Sequence, residues 1–162
     1  MTRSTPSVAL ALTLAALCLA SPPARAGTPD PAVKAQLDSL DIKYDVDSDG
    51  DFKLTFDVGE GRSQLVWIRS STETYGTLKI REVWSPGYKS SGAELPVKIA
   101  NRLLEHSHGL ILGGWTKQKT FAMLAVKIPV SATPQQLRDA CEAAADAADE
   151  IEQELTPGKD DL

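Results

Sequence analysis

The chain has 162 residues, with 17 Lys and Arg against 22 Asp and Glu, a formal net charge of −5 and two cysteines. This balance excludes a basic groove for nucleic acid or anionic membrane and a disulfide-built scaffold. The length suits one compact domain with a real core and leaves no room for two.

The first 26 residues read as an export signal outside the fold. Arg3 gives a positive start, Val8 to Ala20 is an apolar run too short to span a bilayer, and Ala24-Arg25-Ala26 ends in the small-x-small pattern cut by signal peptidase. Leu17 before Cys18 does not match a lipoprotein signal, so no lipid anchor is expected. The mature chain is expected to begin at Gly27, in the periplasm or outside the cell, as a single domain over residues 27–162. Losing Arg3 and Arg25 takes the 17 basic residues to 15 against the same 22 acids, a mature charge of −7. That charge is concentrated in residues 135–162, which hold 2 basic and 9 acidic side chains.

In the mature chain, Asp30-Pro31 is an N-cap with a first-turn Pro, and Val33, Leu37 and Leu40 recur at helical spacing, predicting a first helix to about Leu40. Ile42, Tyr44 and Val46 then alternate, as do Phe52, Leu54, Phe56 and Val58, so two strands flank Asp45-Val46-Asp47-Ser48-Asp49-Gly50-Asp51. That segment has two readings. As a calcium loop it offers Asp45, Asp47, Asp49 and Asp51 with Gly50 at the turn, but Lys53 and Phe56 stand where the ninth and twelfth ligand positions fall. As a hairpin turn its Asp-Gly is a strong local signal.

Gly59-Glu60-Gly61 turns the chain into a third strand, Leu65 to Arg69, apolar on both faces as in an interior strand. Thr77 to Trp84 reads as a fourth, and Ser85 to Gly92 as a turn-rich loop. A second helix is predicted from about Pro96 to His106. Two further strands follow, Leu110 to Trp115 and Thr120 to Ile128. The last helix is capped by Thr133, carries Pro134 in its first turn and Gln136 for a capping box, and stops at Pro157-Gly158. The resulting order, α-β-β-β-β-α-β-β-α, predicts an α+β domain with an antiparallel sheet covered by helices.

Candidate chemistry is sparse. Cys141 falls on the apolar stripe of the last helix with Leu137, Ala144, Ala148, Ile151 and Leu155, where a thiolate is disfavoured. Asp139, Glu142, Asp146, Asp149 and Glu150 form the opposite, solvated face. The small alanines imply close packing on the sheet or on a second copy. His106 and His108 lie at a helix end beside Glu105 and are too few for a secure zinc site. No nucleophile elbow, phosphate loop or metalloprotease motif is present, so no enzyme, catalytic residue or cofactor is expected. Trp84 and Tyr88, flanking Pro86-Gly87 in the expected loop, are the candidate partner-binding residues.

Leu37 to Ser70, centred on Asp47-Ser48-Asp49-Gly50-Asp51-Phe52-Lys53-Leu54-Thr55-Phe56 with Ser63-Gln64-Leu65-Val66 after it, resembles the YbjN-like family of bacterial proteins. Ala147-Ala148-Asp149-Glu150-Ile151-Glu152 is similar to that family's closing helix. The resemblance implies a fold like type III secretion chaperones, which are dimeric binders of other proteins, and a role in sensory transduction regulation; it supplies no catalytic residues. The function expected is that of an exported, non-enzymatic protein- or peptide-binding domain, with no nucleic-acid partner and no membrane span. Homodimerisation is implied by the resemblance, and a calcium-responsive module using the Asp45 to Asp51 loop is the alternative.

Overall fold

The computed structural model describes residues 27–160 and 162; the expected export signal lies outside them. Three helices and six strands follow in the order α1 (Pro31–Ser39), β1 (Asp45–Val46), β2 (Phe52–Gly59), β3 (Arg62–Tyr75), β4 (Leu78–Lys89), α2 (Val97–Gly109), β5 (Gly114–Gln118), β6 (Phe121–Pro129) and α3 (Pro134–Leu155). The strands form one sheet, β1-β2-β3-β4-β6-β5, antiparallel throughout. The domain is therefore α+β with the predicted order of elements.

Alternation decides which side chains meet the helices. Phe52 and Leu54 of β2, Val66 and Ile68 of β3, Val83 of β4 and Leu124 and Val126 of β6 are all buried and pack with Val33 and Leu37 of α1 and Leu137, Cys141 and Ala144 of α3. Burying each large aliphatic side chain of this set contributes about 1.5–3 kcal/mol. A second cluster joins Leu103 of α2, Ala122 of β6 and Ile151 of α3, with Tyr88 and Trp115 against it. All three helices thus share one face of the sheet. The alanine stripe packs within the chain: Ala140, Ala144 and Ala148 are buried, and small residues bring the helix backbone close to the strands. At Gly87 that approach is tightest, since a Cβ there would lie 3.0 Å from the Ala148 carbonyl and 2.3 Å from the Trp115 ring.

Caps and buried polar groups hold the ends. Asp30 accepts from the Ala32 and Val33 amides at the start of α1, and its other oxygen meets Arg81 Nη2 at 2.6 Å. The Arg81 guanidinium also donates to the carbonyls of Arg69 and Ser70, where the β3–β4 register shifts between Ile68 and Thr72. A buried cation here satisfies carbonyls that the irregular ladder leaves over. Thr133 and Gln136 form the predicted capping box of α3.

Four boundaries differ from expectation. The strand expected over Ile42, Tyr44 and Val46 is only Asp45–Val46, inside the Asp-rich segment, while Ile42 and Tyr44 pack on the core ahead of it. Strand β3 runs from Arg62 to Tyr75, well past Arg69, and β5 begins at Gly114, not Leu110. The expected loop from Ser85 is instead strand: β4 continues to Lys89, pairing Pro86 with Met123 and Tyr88 with Ala122 around a bulge. Past Trp84 this strand has lost β3 as a neighbour, so it behaves locally as an edge, where Pro is tolerated and a bulge is common.

Candidate functional site

The Asp-rich segment is a built turn. Asp47 Oδ1 accepts from the amides of Asp49 at 2.9 Å and Asp51 at 3.0 Å, the Asp47 amide donates to the Asp51 carbonyl, and Gly50 takes the left-handed conformation the turn needs, at φ 80°. Asp51 is buried; its Oδ1 accepts from the Ser70 amide at 2.6 Å. Arg69 Nη1 lies 2.7 Å from Asp51 Oδ2, an ion contact without hydrogen-bond alignment. Burial pushes the Asp51 carboxyl above the usual aspartate range, against the pull of Ser70 and Arg69. Asp45 and Asp49 are exposed. Asp47 and Asp51 thus spend oxygens on backbone amides, an arrangement a hairpin turn accounts for in full.

Trp84 and Tyr88 do not form one surface. Tyr88 shares a face with Ala122 and packs in the cluster of Leu103 and Ile151, whereas Trp84 lies opposite Trp67 and Ala125 on the other face. The bulge at Gly87 does not bring the two rings together; it turns one inward and leaves the other outward.

That other face has no helix over it among the described residues. On it, Leu65, Trp67 and Arg69 of β3 stand beside Glu82, Trp84 and Pro86 of β4 and Phe121, Met123 and Ala125 of β6. A concavity of about 290 Å³ opens between Asp47, Trp67, Arg69, Trp84, Pro86, Phe121 and Met123. Each half-buried ring carries a cation: Arg69 Cζ is 4.4 Å from the Trp84 ring centre, Lys53 Nζ 5.8 Å from Trp67 and Lys89 Nζ 5.3 Å from Phe121. Such contacts are worth about 0.5–1 kcal/mol at exposed sites, enough to shield apolar rings from water yet weak enough for a ligand to displace. The Trp84 indole donates to Glu82 at 2.9 Å, and Glu82 pairs with Lys127, so the rim is polar around an aromatic centre.

The remaining candidates have structural partners. His106 is buried, its Nδ1 accepting from the Trp115 indole at 2.9 Å and its Nε2 lying 3.3 Å from Glu150; His108 is exposed, so the two imidazoles do not converge. Burial raises the Cys141 thiol to about 12, which removes it as a nucleophile. Asp149, assigned to the solvated face of α3, is instead buried: with Glu152 and Asp160 it surrounds Arg62, which lies 2.7, 3.2 and 3.7 Å from them in turn. The guanidinium occupies the place a metal would take among these acids.

Sequence reasoning missed Trp67, Arg69, Phe121 and Met123. For β3 the signal is the alternation of Leu65, Trp67 and Arg69, but apolar residues on both faces predict burial on both. The chain matches no family model and no curated protein. No described helix is long and apolar enough to cross a membrane.

Proposed function

We propose that this is an exported, non-enzymatic protein- or peptide-binding domain, an adaptor or chaperone-like accessory, that engages its partner through the helix-free face of its sheet. The observation that carries this is the concavity of the half-buried Trp67, Trp84 and Phe121 rings, lined also by the buried Met123, with a cation on each ring and charge at its rim. Trp and Arg at the centre of a concave patch are the residue types that dominate binding energy in protein interfaces. The resemblance to the YbjN-like family and to secretion chaperones points the same way.

The test is selection of displayed peptides against the intact domain, followed by titration of the enriched sequences against Trp84→Ala and Trp67→Ala variants whose melting temperatures are unchanged. Loss of at least about tenfold in affinity, or 1.4 kcal/mol, in both variants is expected. Selected peptides that bind both variants as tightly as the intact domain would refute the assignment to this face.

A further inference from the structure

Strands β3 and β4 pair only on one side of Trp67 and Trp84. Toward Arg62, β3 keeps β2 as its partner while β4 keeps β6, and the sheet splits. A split exposes a row of backbone donors and acceptors, which proteins cover or pair. Side chains bridge part of this one: Ser85 Oγ donates to the Leu65 carbonyl at 2.8 Å, and Gln64 Nε2 donates to the Pro86 carbonyl at 2.6 Å. The Gln64 side chain is fully buried, and its Oε1 has no partner.

Two further amides are met by residues near the end of the chain. The Ser63 amide donates to Asp160 Oδ1 at 3.3 Å, the Leu65 amide to the main-chain oxygen of Leu162 at 3.4 Å, and Arg62 Nη1 to the Lys159 carbonyl at 2.6 Å. Alternate β3 amides, those of Ser63 and Leu65, are thus met by this segment, the first through a side-chain carboxylate and the second through a main-chain oxygen. The cleft beside this segment, about 530 Å³, is lined by Leu65, Trp67, Pro86, Lys89 and Phe121, three of which also line the aromatic concavity.

We propose that the β3 edge in this split is a docking slot for an extended peptide in which an acidic residue is followed two positions later by an aliphatic one, and that residues 159, 160 and 162 occupy it in cis. This rests on the binding reading above and gives it a mode, strand addition, in which main-chain bonds hold the peptide and side-chain contacts select it. Arg62 Nη2, 3.7 Å from Asp160 while the guanidinium also pairs with Asp149 and Glu152, and Lys89 in the cleft lining are the cations an acidic segment meets here. Because a short tether holds its segment at an effective concentration of about millimolar, a competing peptide binds the intact chain more weakly than a chain whose tail is loosened.

The experiment uses the full chain, its Asp160→Lys variant and a synthetic peptide with the sequence of residues 156–162. Amide hydrogen exchange at Ser63 and Leu65 is expected to accelerate at least tenfold in the variant and to return toward the intact rate when the peptide is added. Peptide carrying the same Asp-to-Lys change is expected to have no effect. Failure of the matching peptide to restore protection would overturn the slot, as would amides in the intact chain that exchange as fast as those of an exposed turn. Should Asp160→Lys lower the melting temperature of the whole domain, the intact chain serves: excess peptide should move the amide resonances of residues 159, 160 and 162 to random-coil positions, and no movement counts against the proposal. The Trp84→Ala titration reads the aromatic face and the Ser63 and Leu65 amides read the slot, so either can fail without the other.

Discussion

Trp67 stands directly opposite Trp84 across β3 and β4, and theirs is the last rung these strands share before they part. One residue pair therefore sits on both the aromatic concavity and the mouth of the split. Replacing either ring should affect binding more than folding, because both are only half-buried and their cations return to water at little cost.

Gly87 has no room for a methyl group. Gly87→Ala would force its Cβ into the Trp115 ring and against the Ala148 carbonyl, an overpacking expected to cost about 1–3 kcal/mol in urea denaturation. The penalty should shrink in a Trp115→Leu background; an equal penalty in both would show that the ring is not the obstacle.

Arg62 neutralises carboxylates that face it from α3 and from the tail. Arg62→Met is expected to lower stability by about 3 kcal/mol or more, since breaking a buried ion pair leaves an uncompensated charge. Adding Asp149→Asn should recover part of the loss, measured as a double-mutant cycle. A loss below about 1 kcal/mol would mean that water replaces the guanidinium freely.

Asp51 sets a pH dependence of definite sign. Its carboxyl is raised in the folded protein, chiefly by burial, so the folded state holds this proton longer than the unfolded chain does. Stability from this group is present below the ordinary aspartate value of 3.8 and is lost as pH rises through the folded value. Melting temperatures of Asp51→Asn and the parent, taken from pH 3 upward, should therefore diverge in favour of the variant. A flat difference, or one that favours the parent as pH rises, would contradict the shift.

The turn makes a separate prediction. Asp47→Ala removes the acceptor of two amides and should cost about 1 kcal/mol, whereas Asp47→Asn keeps an oxygen there and should cost less. Calcium at about 1 mM, a range in which weak extracellular sites fill, should leave the melting temperature unchanged. A calcium-dependent rise that vanishes in an Asp47→Asn, Asp49→Asn double variant would establish the calcium-responsive alternative.

What could be read from the residues alone was what local chemistry decides. The Asp-Gly turn, the strict alternation from Phe52 and the Thr133 to Gln136 capping box each carry their own stereochemical cause, and each stands where expected. Pro86-Gly87 misled because the dipeptide is a turn signal in isolation, whereas the ladder to β6 and the packing of Trp115 on Gly87 carry the strand through it. Asp149 misled because the partner that buries it, Arg62, lies 87 residues away. The open face was hidden for a similar reason. Leu65 to Arg69 looks equally apolar on either side, and only the placement of all three helices on one side leaves the other bare.

The parting of β3 from β4 also makes α3 a splint. Its buried stripe lies across strands on both sides of the gap, so each half of the sheet is fastened to the helix more firmly than to the other half beyond Trp67 and Trp84. Native-state exchange in such an arrangement runs in blocks. The Arg62 to Val66 end of β3 and the Ser85 to Lys89 end of β4 are expected to open as separate blocks while α3 and the shared ladder from Trp67 to Tyr75 remain closed, and to lose their relative alignment once the helix melts.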